Sequence, residues 1–314
     1  MIKLIRYLMI GLLVVVAFPL RAAERWALLI GVDKNKALGE LKVCTSDAQS
    51  MKAVLKRIGY REDHINVLTD DADDMGEWPT IGNIRRGIQS IADVSELGDT
   101  ILLFYSGHGV IRDEESYLVP VDGDSKNAVP LKWIRRRLAG ADASQKILIL
   151  DACHAGAAKG VDGISSDLKV GRDTILLLSC RRGQVSWPAE ETGHSVFTWY
   201  LLEGLGGKAA GEDHQVTVEE LHRYVRAQVK AWTFRERRPM QTPLVIAQEY
   251  ATMVLSEFPD DGPGTTNPKE AYEDATDKSP FSRHEHPDSE LAVRLLAQNT
   301  ALRTPRTDFC RWRL

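Results

Sequence analysis

Four short, nearly continuous apolar runs constrain this chain more than anything else in it: residues 26–32, 100–105, 146–150 and 175–178. A strand that is apolar along its whole length is covered on both faces. Between the runs lie stretches with apolar residues at helical spacing. Residues 46–58 form one, with Ser46 as its N-cap; residues 80–91 form another, placed by Ile81, Ile84, Ile88 and Ile91. Residues 131–138, 196–205 and 217–232 read the same way, and residues 65–68 and 244–246 read as further short strands. Residues 117–120 look like a small excursion, and an apolar stretch over residues 250–255 follows the last strand. Strands alternating with helices in this manner predict an α/β fold, a mostly parallel sheet with helices on both faces.

The ends of the chain differ from its middle. Lys3 and Arg6 precede an apolar run over residues 8–18, with Ala22 and Ala23 as small residues beyond it. That is the pattern of a signal peptide over residues 1–23 and an exported, periplasmic or extracellular protein. The run is short for a bilayer crossing, yet Arg21 is a poor residue three positions before a cut after Ala23. Cleavage after Ala22, or retention with residues 8–20 as a membrane anchor, therefore stays open. Residues 24–257 form the expected domain, and residues 258–314, rich in Asp, Gly, Pro, Ser and Glu, read as a low-complexity tail. The net charge of −4 becomes −7 without residues 1–23, which argues against a nucleic-acid partner. Four cysteines (Cys44, Cys153, Cys180, Cys310) in a chain of 314 residues are no disulfide framework.

Two of the apolar runs end in polar, glycine-bearing clusters, where open α/β sheets place their sites. One holds His108 between Gly107 and Gly109; the other holds Cys153 in Asp151-Ala152-Cys153-His154-Ala155-Gly156. A thiol is mostly protonated at neutral pH, so an imidazole is needed to raise its thiolate fraction. His154 is adjacent to Cys153 and, on an extended segment, points to the opposite face. His194 falls in a loop before a helix with no strand to fix it. His108 is the best candidate for the base.

The segments Phe104-Tyr105-Ser106-Gly107-His108-Gly109 and Leu150-Asp151-Ala152-Cys153-His154-Ala155-Gly156 resemble the His and Cys boxes of the caspase-like cysteine peptidases, closest to the metacaspase and orthocaspase branch. Residues 26–33, 41–48, 117–122 and 194–198 agree with that resemblance. It implies a three-layer sandwich around a sheet of about six strands, thiolate attack on a peptide bond, and no cofactor in the chemistry. It implies an oxyanion hole from the backbone N–H groups of Gly109 and Cys153. It also places Ser186 and Trp187 in a loop along the substrate groove, and Cys44 and Cys180 in or beside the core. Caspases proper hold a substrate Asp with a Gln and an Arg. Here Asp151 stands at the first of those places, and Asp47, in Cys44-Thr45-Ser46-Asp47-Ala48, resembles the metacaspase residue of the same pocket. Two carboxylates facing one pocket attract Arg or Lys and repel Asp, so the expected partners are protein or peptide substrates with a basic residue before the cut.

Metacaspases often need calcium, for which Asp113, Glu114, Glu115, Asp162 and Asp167 are the nearby acids, sparse and irregularly spaced. No Cys/His spacing suggests zinc. The segment 157–173 carries Lys159, Lys169 and Arg172 and, as in caspase-like enzymes generally, is a place for self-processing. Two other readings compete: a catalytically idle caspase-like interaction module, and a different cysteine hydrolase, such as an amidase, on the same sheet.

Overall fold

The computed structural model describes residues 21–113, 115–152, 154–155, 171–181, 183–189, 191–247 and 253–259. Its centre is a six-stranded sheet of β1 (Arg25–Gly31), β2 (Ile65–Thr69), β3 (Thr100–Ser106), β7 (Gln145–Asp151), β9 (Thr174–Leu178) and β13 (Leu244–Ile246). The spatial order is β13-β9-β7-β3-β1-β2. All neighbours are parallel except β13, which runs antiparallel to β9 on the edge.

Helices α1 (Cys44–Arg57), α4 (Val196–Glu203) and α5 (Val218–Arg235) cover one face; α2 (Ile81–Val94) and α3 (Leu131–Ala139) cover the other. The period-two alternation of strands divides the two cores: Ala27 and Leu29 of β1 pack with α1, α4 and α5, while Leu28 and Ile30 pack with α2 and α3. Burial on both faces is why these strands read as unbroken apolar runs.

The expected Ser46 cap is corrected. Helix α1 begins two residues earlier, at Cys44, and its N-terminus has no side-chain cap of its own. The carboxylate of Asp33, just beyond β1, accepts from the N–H groups of Cys44 and Thr45 at 2.9 and 3.0 Å, so the cap arrives from a distant part of the sequence. Gly31 is forced by the same approach, since a Cβ there would lie 2.4 Å from the Cys44 carbonyl oxygen. Helix α5 starts one residue later than its periodicity suggested, behind a capping box of Thr217 and Glu220.

The excursion at 117–120 is larger than expected: β4 (Gly109–Arg112) and β5 (Glu115–Leu118) form a hairpin, extended by β6 (Val129–Pro130) and by β8 (His154–Ala155) alongside β4. The helical stretch expected to reach residue 205 leaves α-geometry at Gly204 for a wider π turn over Gly204–Lys208. Four short strands complete the described elements. These are β10 (Pro188–Ala189) paired with β11 (His194–Ser195), and β12 (Gln215–Thr217), which pairs with β14 (Val254–Glu257).

Candidate active site

Strands β3 and β7 are neighbours in the sheet, with Ser106 opposite Asp151 at their carboxyl ends. The His108 box leaves one and the Cys153 box leaves the other. Cys153 itself lies outside the described residues. The backbone on either side of it is placed: the Asp151 carbonyl accepts from Gly107 N–H at 3.1 Å, and His154 stands in register with Gly109. The chain flanking Cys153 therefore runs beside the His108 box. Gly109, expected in the oxyanion hole, opens β4 at this junction.

The His108 backbone is locked at its carbonyl, which accepts from Val119 N–H at 3.0 Å and lies 2.8 Å from the Tyr105 hydroxyl. Its ring is fixed by another segment: Nε2 lies 2.8 Å from the carbonyl oxygen of Gly39. A carbonyl only accepts, so Nε2 carries a proton, and Nδ1 is the nitrogen that holds the lone pair whenever the ring is neutral.

The two acidic residues meet under the same strand ends. Asp47, wholly buried, accepts from the Ser106 hydroxyl at 2.9 Å and from Ser195 N–H at 3.3 Å, and lies 2.8 Å from His194 Nδ1. Asp151, also buried, accepts from the hydroxyls of Ser186 and Thr198 at 2.7 Å each and from that of Ser195. Ser195 thus touches both carboxylates, through its N–H and its Oγ. Burial, and then the charge of Asp151, push the Asp47 carboxyl well above its ordinary range. Burial lowers His194 to about 4.

His194 is a correction. It lies on β11, 1% exposed, and supports Asp47. The residues that sequence reasoning passed over are Ser106, Ser195 and Thr198. Each donates to a carboxylate, and the hydroxyls in 194–198, just ahead of an apolar run, were the available signal. Trp187 is half-buried against the α1/α4/α5 core, its N–H groups bonded to Gln241 Oε1 and the Pro239 carbonyl at 3.0 Å each. Cys44 and Cys180 are buried. Burial, with Asp33 and Asp47 close by, pushes the Cys44 thiol well up, which makes it inert as a nucleophile.

Of the acids considered for calcium, Glu115 is held by Lys132 at 2.9 Å and by the Tyr117 hydroxyl at 3.3 Å. Asp113 sits at the hairpin tip with φ +49°, and Glu114, Asp162 and Asp167 lie outside the described residues. Among the described residues, no three metal-ligating side chains converge. A wide-open concavity of about 640 Å³ lies across α2 beside Arg86 and Trp133 and includes none of the site residues.

The comparisons with known proteins bear on this arrangement directly. A family model described as the caspase domain matches residues 24–253. The chain belongs to the caspase-domain family. Curated relatives that this caspase domain matches include metacaspases. It is 34% identical to metacaspase-1 of Eremothecium gossypii over 147 residues, which is 43% of this chain and 32% of that protein. It is 30% identical to metacaspase-9 of Arabidopsis thaliana over 146 residues, 42% of this chain and 44% of the other. The matches thus span less than half the length of these relatives. Caspase-1 of Spodoptera frugiperda shares the fold, with a TM-score of 0.52 at 17% identity over 74% of this chain and 88% of that one. A Geobacter sulfurreducens protein of known structure does so as well, with a TM-score of 0.53 at 19% identity over 76% and 98%.

Proposed function

We propose that this caspase domain is a cysteine endopeptidase that cleaves after Arg or Lys, with Cys153 as nucleophile and His108 as base. The observation that carries the specificity is the convergence of Asp47 and Asp151 on Ser195, beneath the strand ends that bear the two boxes. In this reading His108 Nδ1 takes the thiol proton while Nε2–H donates to Gly39 O. The thiolate adds to the scissile carbonyl, and the oxyanion is met by the N–H groups of Gly109 and Cys153. Collapse expels the amine, which takes the proton from Nδ1, and leaves a thioester that water then hydrolyses. The substrate guanidinium or ammonium group sits against the two carboxylates, whose other partners are hydroxyls, the Ser195 N–H and a neutral imidazole. No cofactor enters this chemistry, and residues 1–22 direct export.

A paired assay tests the reading, using Arg, Lys and Asp peptides of otherwise identical sequence with full-length protein. Cleavage of the Arg and Lys peptides, with the Asp peptide uncut, supports it. Preference for Asp would overturn the pocket. No cleavage by wild type together with an unreactive Cys153 would return the chain to the idle-module reading.

A further inference from the structure

We propose that the wall carrying Trp187 and Arg238 is a second recognition subsite, which takes a carboxylate side chain of the substrate two residues before the basic one. The inference deepens the Arg/Lys reading above and rests on it. Ser186, which donates to Asp151, also accepts from Gln241 Nε2 at 3.0 Å. Gln241 is wholly buried; its amide holds the Ser179 carbonyl and Trp187 N–H, each at 3.0 Å. Trp187 Nε1 reaches the Pro239 carbonyl at 3.0 Å, and the Arg238 guanidinium lies 5.1 Å from the Trp187 ring centroid. Arg238 is therefore latched, through one aromatic ring, to the residue next to a pocket wall.

The charge on this rim is uncompensated. Arg235 pairs with Glu236, but among the described residues no carboxylate lies within ion-pair distance of Arg181, Arg237 or Arg238, all exposed. A guanidinium lying over an indole keeps its N–H edge outward, in the fork that suits a carboxylate. An acidic pocket beside a cationic rim calls for a substrate with both charges. In an extended peptide, side chains two residues apart, about 7 Å, share a face. An acid at that position meets Arg238 while the basic residue occupies the pocket, and a second Arg or Lys there is repelled. The chain's own candidate processing segment reads Asp167-Leu168-Lys169, with the same spacing of acid and base.

The test uses a fluorogenic peptide of residues 164–171, whose one basic residue is Lys169, and its Asp167→Asn and Asp167→Lys forms. Each is assayed with full-length wild type, Arg238→Gln and Arg238→Lys. Wild type should cut the Asp form best and the Lys form worst. The Asp form should gain about fivefold over the Asn form, in KM rather than kcat, as suits a partly exposed ion pair. Arg238→Gln should erase the Asp-over-Asn preference and leave turnover of the Asn form unchanged, while Arg238→Lys keeps part of the preference. Equal cleavage of all three forms by wild type, or a preference that survives Arg238→Gln, overturns the subsite and leaves the Arg/Lys reading standing. If no form is cut after Lys169, the Arg/Lys reading fails and the subsite falls with it.

Discussion

His108 Nε2 lies 2.8 Å from the carbonyl oxygen of Gly39, a residue held at φ +100° in the loop between β1 and α1. The ring's tautomer is thus set by a backbone group 69 residues away in sequence. A Cβ at Gly39 would meet nothing within 4 Å, so a side chain there acts only through backbone conformation. Forcing a β-branched residue to positive φ costs about 1–2 kcal/mol, and relief of that strain turns the carbonyl away. Gly39→Val should lower kcat for an Arg peptide about tenfold with KM nearly unchanged. Unaltered kcat in a folded variant would remove Gly39 from the mechanism.

Cys153→Ala and His108→Ala should each reduce peptide cleavage by roughly three orders of magnitude or more, since nucleophile and base act as a unit. Both should leave the thermal unfolding profile close to wild type. His154→Ala should cost far less, because neighbouring residues of an extended segment face opposite ways. Near-normal turnover by Cys153→Ala would show the nucleophile to be elsewhere.

The sheet was legible from sequence because its strands are buried on both faces, and α2 because Ile84, Ile88 and Ile91 all enter one core. The His108 and Asp47/Asp151 candidates were legible because they stand at strand and helix ends in recognisable segments. What sequence pattern does not carry is partnership across distance. Asp33 capping α1, Gly39 holding His108 and Ser195 joining two carboxylates all depend on loops whose residues have no periodicity. His194 looked unanchored because a two-residue strand is too short to show alternation. The small hairpin reads as an excursion because each of its strands is only four residues long.

Lys146 is buried at the amino end of β7, its Nζ 2.5 Å from Asp173, where the chain re-enters the sheet before β9. Desolvation raises the Asp173 carboxyl, but the hydrogen bond and charge of Lys146 outweigh it and hold the group below its ordinary value. A depressed carboxyl contributes stability above its unfolded pKa, and this is lost as pH falls through the folded value. Asp173→Asn should therefore destabilise the protein at neutral pH, by about 1–2 kcal/mol, because Lys146 stays buried without a counter-charge while the 41% exposure of Asp173 screens the pair. The deficit should narrow below about pH 4. Urea melts at pH 7 and at about pH 2.5 give the comparison, and a deficit equal at both would rule out the ion pair as its source.

Asp99, 1% exposed, takes hydrogen bonds from Glu24 N–H, Trp26 Nε1 and Glu96 N–H at 2.8, 3.1 and 3.0 Å, as well as an ion pair from Arg21. Cleavage after Ala22 removes only the last of these. We expect the exported protein to begin at Ala23 and to keep its fold, since three donors still satisfy the carboxylate. N-terminal sequencing of the extracytoplasmic fraction checks this. An intact Met1 terminus confined to membranes would favour the anchor instead.

Asp47 is raised chiefly by burial and then by the charge of Asp151, so in the empty enzyme it keeps its proton above the usual carboxylate range. An Arg substrate needs the ionised form, and binding therefore releases a proton from Asp47. In wild type, kcat/KM for Arg peptides should rise with pH through the raised value. In Asp47→Asn it should be lower, with that acidic limb gone. Asp151→Asn should reduce kcat/KM by roughly 30-fold or more, from the 2–5 kcal/mol typical of a truncated buried charge pair. The double variant should fall short of the product, because both carboxylates serve one ligand. Stability should move the other way. A carboxyl with a raised folded pKa contributes stability that is complete below its unfolded value and lost as pH rises through the folded one. Asp47→Asn should therefore raise Tm at neutral pH by about 2–4 °C, corresponding to ~1 kcal/mol, while weakening catalysis. Thermal melts and Arg-peptide kinetics on the same preparations decide it. A variant both less active and less stable at pH 7 would mean that Asp47 is already ionised in the empty pocket.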